Sequence, residues 1–146
     1  MKVKIKKLAE EAVLPFYATE GSAGMDVTTT FVEYKRDGDF WICHTGLSFQ
    51  IPEGYVMLIF PRSSIRKTNF YLANSVGVLD SDYTGELLFI FKERGLSKVP
   101  PVVGPYKAGE RVGQVIIIPH PKIEFLEVNE LDKTERGDGG FGSTGK

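Results

Sequence analysis

Two carboxylates and a phenol crowd one short stretch, GVLDSDYTGEL (77–87). Asp80 and Asp82 stand one residue apart and Tyr83 follows. A carboxylate so placed can orient a water for attack, beside a ring shaped to a small ring on a substrate. Asp and Gly also suit turns through local hydrogen bonds and a permissive backbone, so a hairpin turn entering a strand is the alternative. The segment PRSSIRKTNF (61–70) sets Arg62, Ser63 and Ser64 just after an apolar strand pattern. Arginine, two hydroxyls and the amides that open a helix make an anion site. A helix start capped by Ser is the other reading. Asp26 lies where the turn SAGMDV (22–27) enters a strand, a position that suits a structural role as well. Gln114 is an amide among apolar residues in GERVGQVIIIP (109–119), which begins with Arg111 nearby. Such an amide needs a partner, from backbone or from a ligand.

The segment ERGDGGFGSTGK (135–146) is richer in glycine than a core tolerates, yet it carries Phe141. Gly140 to Lys146 spells G-x-x-x-x-G-K, but no Ser or Thr and no helix follow the Lys here, so a phosphate loop of the Walker kind is not expected. The RGD at 136–138 is too short a match to carry an adhesion reading. Glycine lets backbone approach a ligand closely. Ser143, Thr144 and successive amides can line phosphate oxygens, and Arg136 adds a charged fork. Phe141 offers a flat face to a base, a contact worth about 1–3 kcal/mol. These residues suggest a lid over a nucleotide carrying several phosphates; a frayed terminus is the plainer reading.

The elements that must position these groups are strands. Period-2 patterns predict strands near Lys2–Lys7, Asp26–Glu33, Phe40–His44, Gly46–Ile51, Tyr55–Phe60, Glu86–Lys92, Arg111–Ile118 and Glu124–Val128. Ser64–Leu72 alone has room for a helix, and a short one. Many short strands with short turns argue a sandwich, jelly roll or distorted barrel. Apolar residues stop at Leu131 except for Phe141, which divides the chain into a domain over 1–131 and a tail over 132–146. A length of 146 residues suits one domain.

Composition narrows the function classes. Hydrophobic residues make up 42%, which argues against wholesale disorder. A net charge of −1 gives no basic excess for a nucleic-acid backbone. One cysteine, Cys43, permits no internal disulfide, and with two histidines it leaves no zinc cluster; it is expected as buried filler in a reducing compartment. The start MKVKIKKLAE is basic like a leader, but Val3 and Ile5 alternate with lysines as in a strand. The longest apolar runs are too short to span a bilayer, so no membrane partner is expected.

Taken in order, AGMDV (23–27), PRSSI (61–65), NSVGVLDSDYTGE (74–86), GERVGQVIIIP (109–119) and RGDGGFGSTG (136–145) resemble the five motifs of the trimeric deoxyuridine triphosphate nucleotidohydrolases, the dUTPases. The third and fifth matches are the most specific. The resemblance implies an all-β, jelly-roll-like distorted barrel with a mobile glycine-rich tail, assembled as a homotrimer with shared active sites. It implies hydrolysis of dUTP to dUMP and pyrophosphate with Mg2+, keeping uracil out of DNA and supplying dUMP for thymidylate synthesis. The setting it implies is cytoplasmic, or nuclear within a host cell if the source is viral. By motif position, Asp80 corresponds to the carboxylate that orients the water and contacts the deoxyribose hydroxyl. Tyr83 corresponds to the ring under the sugar that excludes a ribose 2′-hydroxyl. Asn74, Gly77 and Val78 belong to the substrate-binding stretch, with Asn74 in the uracil pocket. Arg62, Ser63, Ser64 and Gln114 correspond to phosphate contacts, and Asp26 to a residue that holds hydrated magnesium through water. Arg136, Phe141, Gly142, Ser143 and Thr144 lie in the tail that closes over the nucleotide.

Some positions depart from the common pattern. Ser64 stands where many members have Gly, Met25 where Tyr, Phe or Leu is frequent, Thr84 where Arg is common, and Gly113 where Ala is frequent. A deoxycytidine triphosphate deaminase shares the fold and an R-S-S segment, but its catalytic Glu would fall at Ile90, and it lacks the Phe-Gly tail. A partner-switched regulatory module is a different class, with VPPVVGPYKAG (99–109) as the surface loop available to it. A structural jelly roll would not need Asp80, Tyr83 and the tail together.

Overall fold

Alternating apolar and polar side chains put most of the chain into short strands. The computed structural model describes residues 1–95 and 104–140, and its strands form two antiparallel sheets. One sheet orders β1 (Lys4–Lys7), β4 (Phe40–Gln50), β8 (Glu86–Glu93) and β6 (Phe70–Leu72), with β3 (Phe31–Lys35) also paired to β4. The other orders β2 (Met25–Thr28), β9 (Arg111–Pro119), β5 (Tyr55–Pro61) and β7 (Gly77–Leu79).

The two sheets bury their facing sides against each other. Leu87, Phe89 and Phe91 alternate inward along β8, Met57 and Ile59 along β5, and Val112 and Val115 come from β9. Burying each such side chain stabilises by about 1.5–3 kcal/mol. Gly113 on β9 accepts the Phe89 ring so closely that a Cβ there would overlap the ring's edge at Cε1. The missing side chain at Gly113 is therefore the space that a large core aromatic occupies.

Several elements differ from the sequence expectation. The pattern at 26–33 is two strands, because the chain leaves one sheet at Thr29–Thr30 and joins the other. Thr29 Oγ1 donates to the carbonyls of Phe31 and His44 at 3.0 and 2.7 Å and holds the crossing. The expected pair Phe40–His44 and Gly46–Ile51 is one long strand, β4, interrupted by a bulge. Ser64–Leu72 is not one helix: Ser63–Lys67 forms a 3-10 turn and Phe70–Leu72 a strand. The other helical turn, Arg36–Gly38, is also 3-10. Glu124–Val128 forms no strand; it finds no pairing partner among the described residues, and Phe125 is 92% exposed.

Candidate active site

Asp26 sits in a charged cleft beside two arginines. Its strand β2 pairs with β9, placing Asp26 opposite Gln114, while Phe60 at the end of β5 pairs with Gln114 from the other side. Arg62 follows β5 directly and turns back onto Asp26. Its Nε meets Oδ1 at 3.1 Å, and Arg111 meets Oδ2 at 2.9 Å. Both carboxylate oxygens thus hold a guanidinium, and the Asp26 side chain is only 12% exposed. Ser63, Gly24 and Gln114 complete the walls of an open cleft of ≈ 670 Å³. Gln114 Nε2 donates to the Pro61 carbonyl at 3.2 Å. Gly24 leaves room for the Gln114 amide: a Cβ there would stand 2.7 Å from Oε1, and the flexible amide would have to move aside.

This cleft brings together Asp26, Arg62, Ser63 and Gln114. Ser64 faces a neighbouring groove with Thr68, Tyr106 and Glu110, and the two grooves share Arg62 and Arg111. Two arginines, hydroxyls and an amide around one opening can bind a multiply charged anion, with fork-like hydrogen bonds from the guanidinium groups. Sequence reasoning left out Arg111. A carboxylate buried to this degree needs compensating charge, and Arg111 supplies part of it.

Asp80 lies elsewhere. On β7, Leu79 pairs with Met57 and Gly77 with Ile59, so Asp80 is level with the start of β5. From Val56 to Arg62, at about 3.3 Å per residue, the strand covers roughly 20 Å. Asp80 lines its own groove with Ser81, Asp82, Glu53, His120 and Lys122. Asn74, Gly77, Val78, Asp80 and Tyr83 follow one another along a single ribbon. Asn74 Nδ2 rests 3.1 Å from where a Gly77 Cβ would stand, and Val78 is exposed. The Tyr83 hydroxyl donates to the Glu86 carbonyl at 3.1 Å, and its ring folds over Gly85.

Within the described part of the tail, Arg136 Nε donates to the Gly139 carbonyl of its own turn at 2.8 Å. Phe141, Gly142, Ser143 and Thr144 lie outside the described residues. Cys43 is fully buried, and burial pushes its thiol up to about 12, so it is an inert core group.

The profile of the dUTPase family matches residues 10–145. The chain belongs to the dUTPase family. Deoxyuridine 5'-triphosphate nucleotidohydrolases from Hydrogenobaculum sp. and Fusobacterium nucleatum are 42% and 44% identical to it, each over 99% of both chains. Among solved structures, a mutant of the Staphylococcus bacteriophage 80alpha dUTPase with dUpNHpp superposes with a TM-score of 0.78 at 26% identity, covering 99% of both chains. A mutant dUTPase of the S. aureus phage phi11, described with a structural Mg(II) ion, shares the fold with a TM-score of 0.70 at 23% identity, covering 89% of this chain and 98% of that one.

Among the described residues no helix is long and apolar enough to cross a membrane.

Proposed function

We propose that this chain hydrolyses dUTP to dUMP and pyrophosphate in an active site shared between copies of the chain. The observation that carries the reading is the separation of Arg62 and Asp80 along β5. The Arg62–Ser63–Gln114 cleft suits a triphosphate, and the Asn74–Tyr83 ribbon suits a nucleoside. At roughly 20 Å they cannot serve one α-phosphorus within a single chain. A homotrimer with cyclic symmetry sets the cleft of one copy against the ribbon of the next. The exposed arm after β9 favours assembly: Ile123, Phe125, Leu126 and Leu131 are 67%, 92%, 85% and 86% exposed. Apolar surface of this kind marks an interaction site.

In this site Asp80 accepts a proton from water and aims its oxygen at the α-phosphorus, while also holding the sugar hydroxyl. Tyr83 packs under the sugar and leaves no room for a 2′-hydroxyl. Asn74, Gly77 and Val78 present hydrogen bonds and surface to uracil. Arg62, Ser63, Ser64 and Gln114 bind the phosphates and stabilise charge as pyrophosphate leaves. Residues 132–146 form a tail, and Arg136, Phe141, Gly142, Ser143 and Thr144 close over the nucleotide and exclude bulk water.

Among the described residues no group of three His, Cys, Asp or Glu forms a metal cage. Asp26 offers one carboxylate whose oxygens already serve Arg62 and Arg111. This donor set fits Mg2+, which keeps most of its waters and binds through substrate phosphates, with Asp26 accepting a hydrogen bond from a metal-bound water. When bound, the ion supplies charge neutralisation along the triphosphate. The product dUMP would feed thymidylate synthesis, and removal of dUTP would keep uracil out of DNA.

The test is pyrophosphate release with magnesium from dUTP, UTP, dTTP and dCTP at equal concentration. Rapid release from dUTP alone is expected. Release from none of them by folded protein would reduce the site to a binding module.

A further inference from the structure

One side chain ties the start of β8 into the bulge of β4. His44 pairs with Leu88, and the next pair is Ser48 with Glu86, so four residues of β4 pass against two of β8. Gly46 takes up the excess with a φ of 64°. Glu86 fills the gap this leaves. Its Oε1 accepts the Gly46 N–H at 2.8 Å, and its Oε2 meets His44 Nδ1 at 3.0 Å. The backbone carbonyl of the same residue accepts the Tyr83 hydroxyl. Two residues earlier, the Thr84 carbonyl accepts Ser48 Oγ at 2.6 Å. The loop carrying Asp80 and Tyr83 is therefore anchored on both sides of the bulge, a common device beside active sites.

We infer that Glu86, held by His44, is a positioning residue for Tyr83, and that the His44–Glu86 pair makes binding of the deoxyribose dependent on pH. The inference rests on the reading of Tyr83 as the sugar-facing ring. His44 has a carboxylate at each nitrogen, with Glu33 Oε1 3.2 Å from Nε2. A doubly protonated ring donates to both; a neutral ring turns a lone pair toward one of them. The charged groups facing the ring are Glu33 from β3, with Lys35 2.8 Å beyond it, and Glu86 from β8; Phe31 covers it at 5.5 Å. Partial burial pulls the His44 imidazole down, but the hydrogen bonds to Glu86 and Glu33 outweigh this, and the net direction is up. A neutral ring that keeps its proton on Nε2, toward Glu33, releases Glu86 from one of its two anchors and loosens the carbonyl that fixes Tyr83.

The test measures kcat and KM for dUTP and UTP from about pH 5.5 to 9 in full-length wild type, His44→Gln, Glu86→Gln and Tyr83→Ala. His44 is followed in parallel by imidazole proton NMR. The wild-type KM for dUTP should rise about 3–10-fold through the His44 midpoint, with kcat changing less and preference over UTP falling in step. His44→Gln and Glu86→Gln should lack the step and keep the alkaline value at every pH. The ratio of wild type to variant cancels titration of the nucleotide itself. An unchanged ratio across pH overturns the inference, as does a KM step displaced from the His44 midpoint; the latter needs only the wild-type protein. If Tyr83→Ala discriminates between dUTP and UTP as wild type does, the reading of Tyr83 has failed. If it loses discrimination while His44→Gln and Glu86→Gln retain the step, only the positioning role has failed.

Discussion

Arg62 and Asp80 stand at opposite ends of β5, one just beyond Pro61 and the other level with Val56. Roughly 20 Å of strand lies between them. No side chain spans that distance, which supports the proposal that the anion-binding arginine and the water-orienting carboxylate of one site come from different copies of the chain.

Replacing Asp80 by Asn removes the base while keeping shape and most hydrogen bonding. Turnover of dUTP should fall about 10²–10⁴-fold, with affinity for a non-hydrolysable analogue changing little. Steady-state kinetics with calorimetric binding checks both halves. Unchanged turnover would remove Asp80 from the mechanism.

Gly113→Ala drives a methyl group into the edge of the Phe89 ring. Overpacking of this kind costs about 1–3 kcal/mol. Denaturant unfolding should show that loss, and Phe89→Leu in the same chain should recover part of it. Full stability of the single variant would mean that β9 and β8 separate without cost.

Stability should depend on pH through His44. Its folded-state value is raised above its ordinary 6.5, so the protonated ring is favoured by folding. The stabilisation is complete below pH 6.5 and is lost as pH rises through the raised folded value. Lys35, then His44, hold Glu33 below its ordinary 4.5, a contribution that is lost in acid instead. Melting temperatures of wild type and His44→Gln, compared above pH 5.5 or so, should therefore converge as pH rises. A difference constant across that range would contradict the assignment.

Truncation after Thr134 should leave the two sheets folded and impair catalysis. The described residues of the tail are largely exposed, and Arg136 bonds within its own turn. Circular dichroism and kcat/KM on the truncated protein separate the two effects. Full activity, or unfolding, would defeat the lid.

Much of the fold was legible because period-2 alternation survives in the longer strands. Tyr55–Pro61 and Arg111–Pro119 lie close to where the pattern places them. The failures have physical causes. Phe70–Leu72 and Gly77–Leu79 are three residues long, too short to show a period, and the second hides within turn-forming residues. Glu124–Val128 has strand-forming side chains, but pairing needs a partner, and strand propensity is largely a matter of context. In the site, residue types pointed to Asp26, Arg62 and Gln114, and the structure gathers them in one cleft. Arg111 and the Glu86–His44 pair were not legible, because they depend on pairing register and on a bulge rather than on motif spacing.

The most direct test of a shared site mixes two inactive variants. Asp80→Asn and Arg62→Ala are each prepared alone, then unfolded together in equal amounts and refolded. If Asp80 and Arg62 of one site come from different chains, random assembly restores dUTP hydrolysis to about a quarter of the wild-type rate. If the mixture stays as inactive as its parents, both residues serve one site within one chain, and the account is wrong.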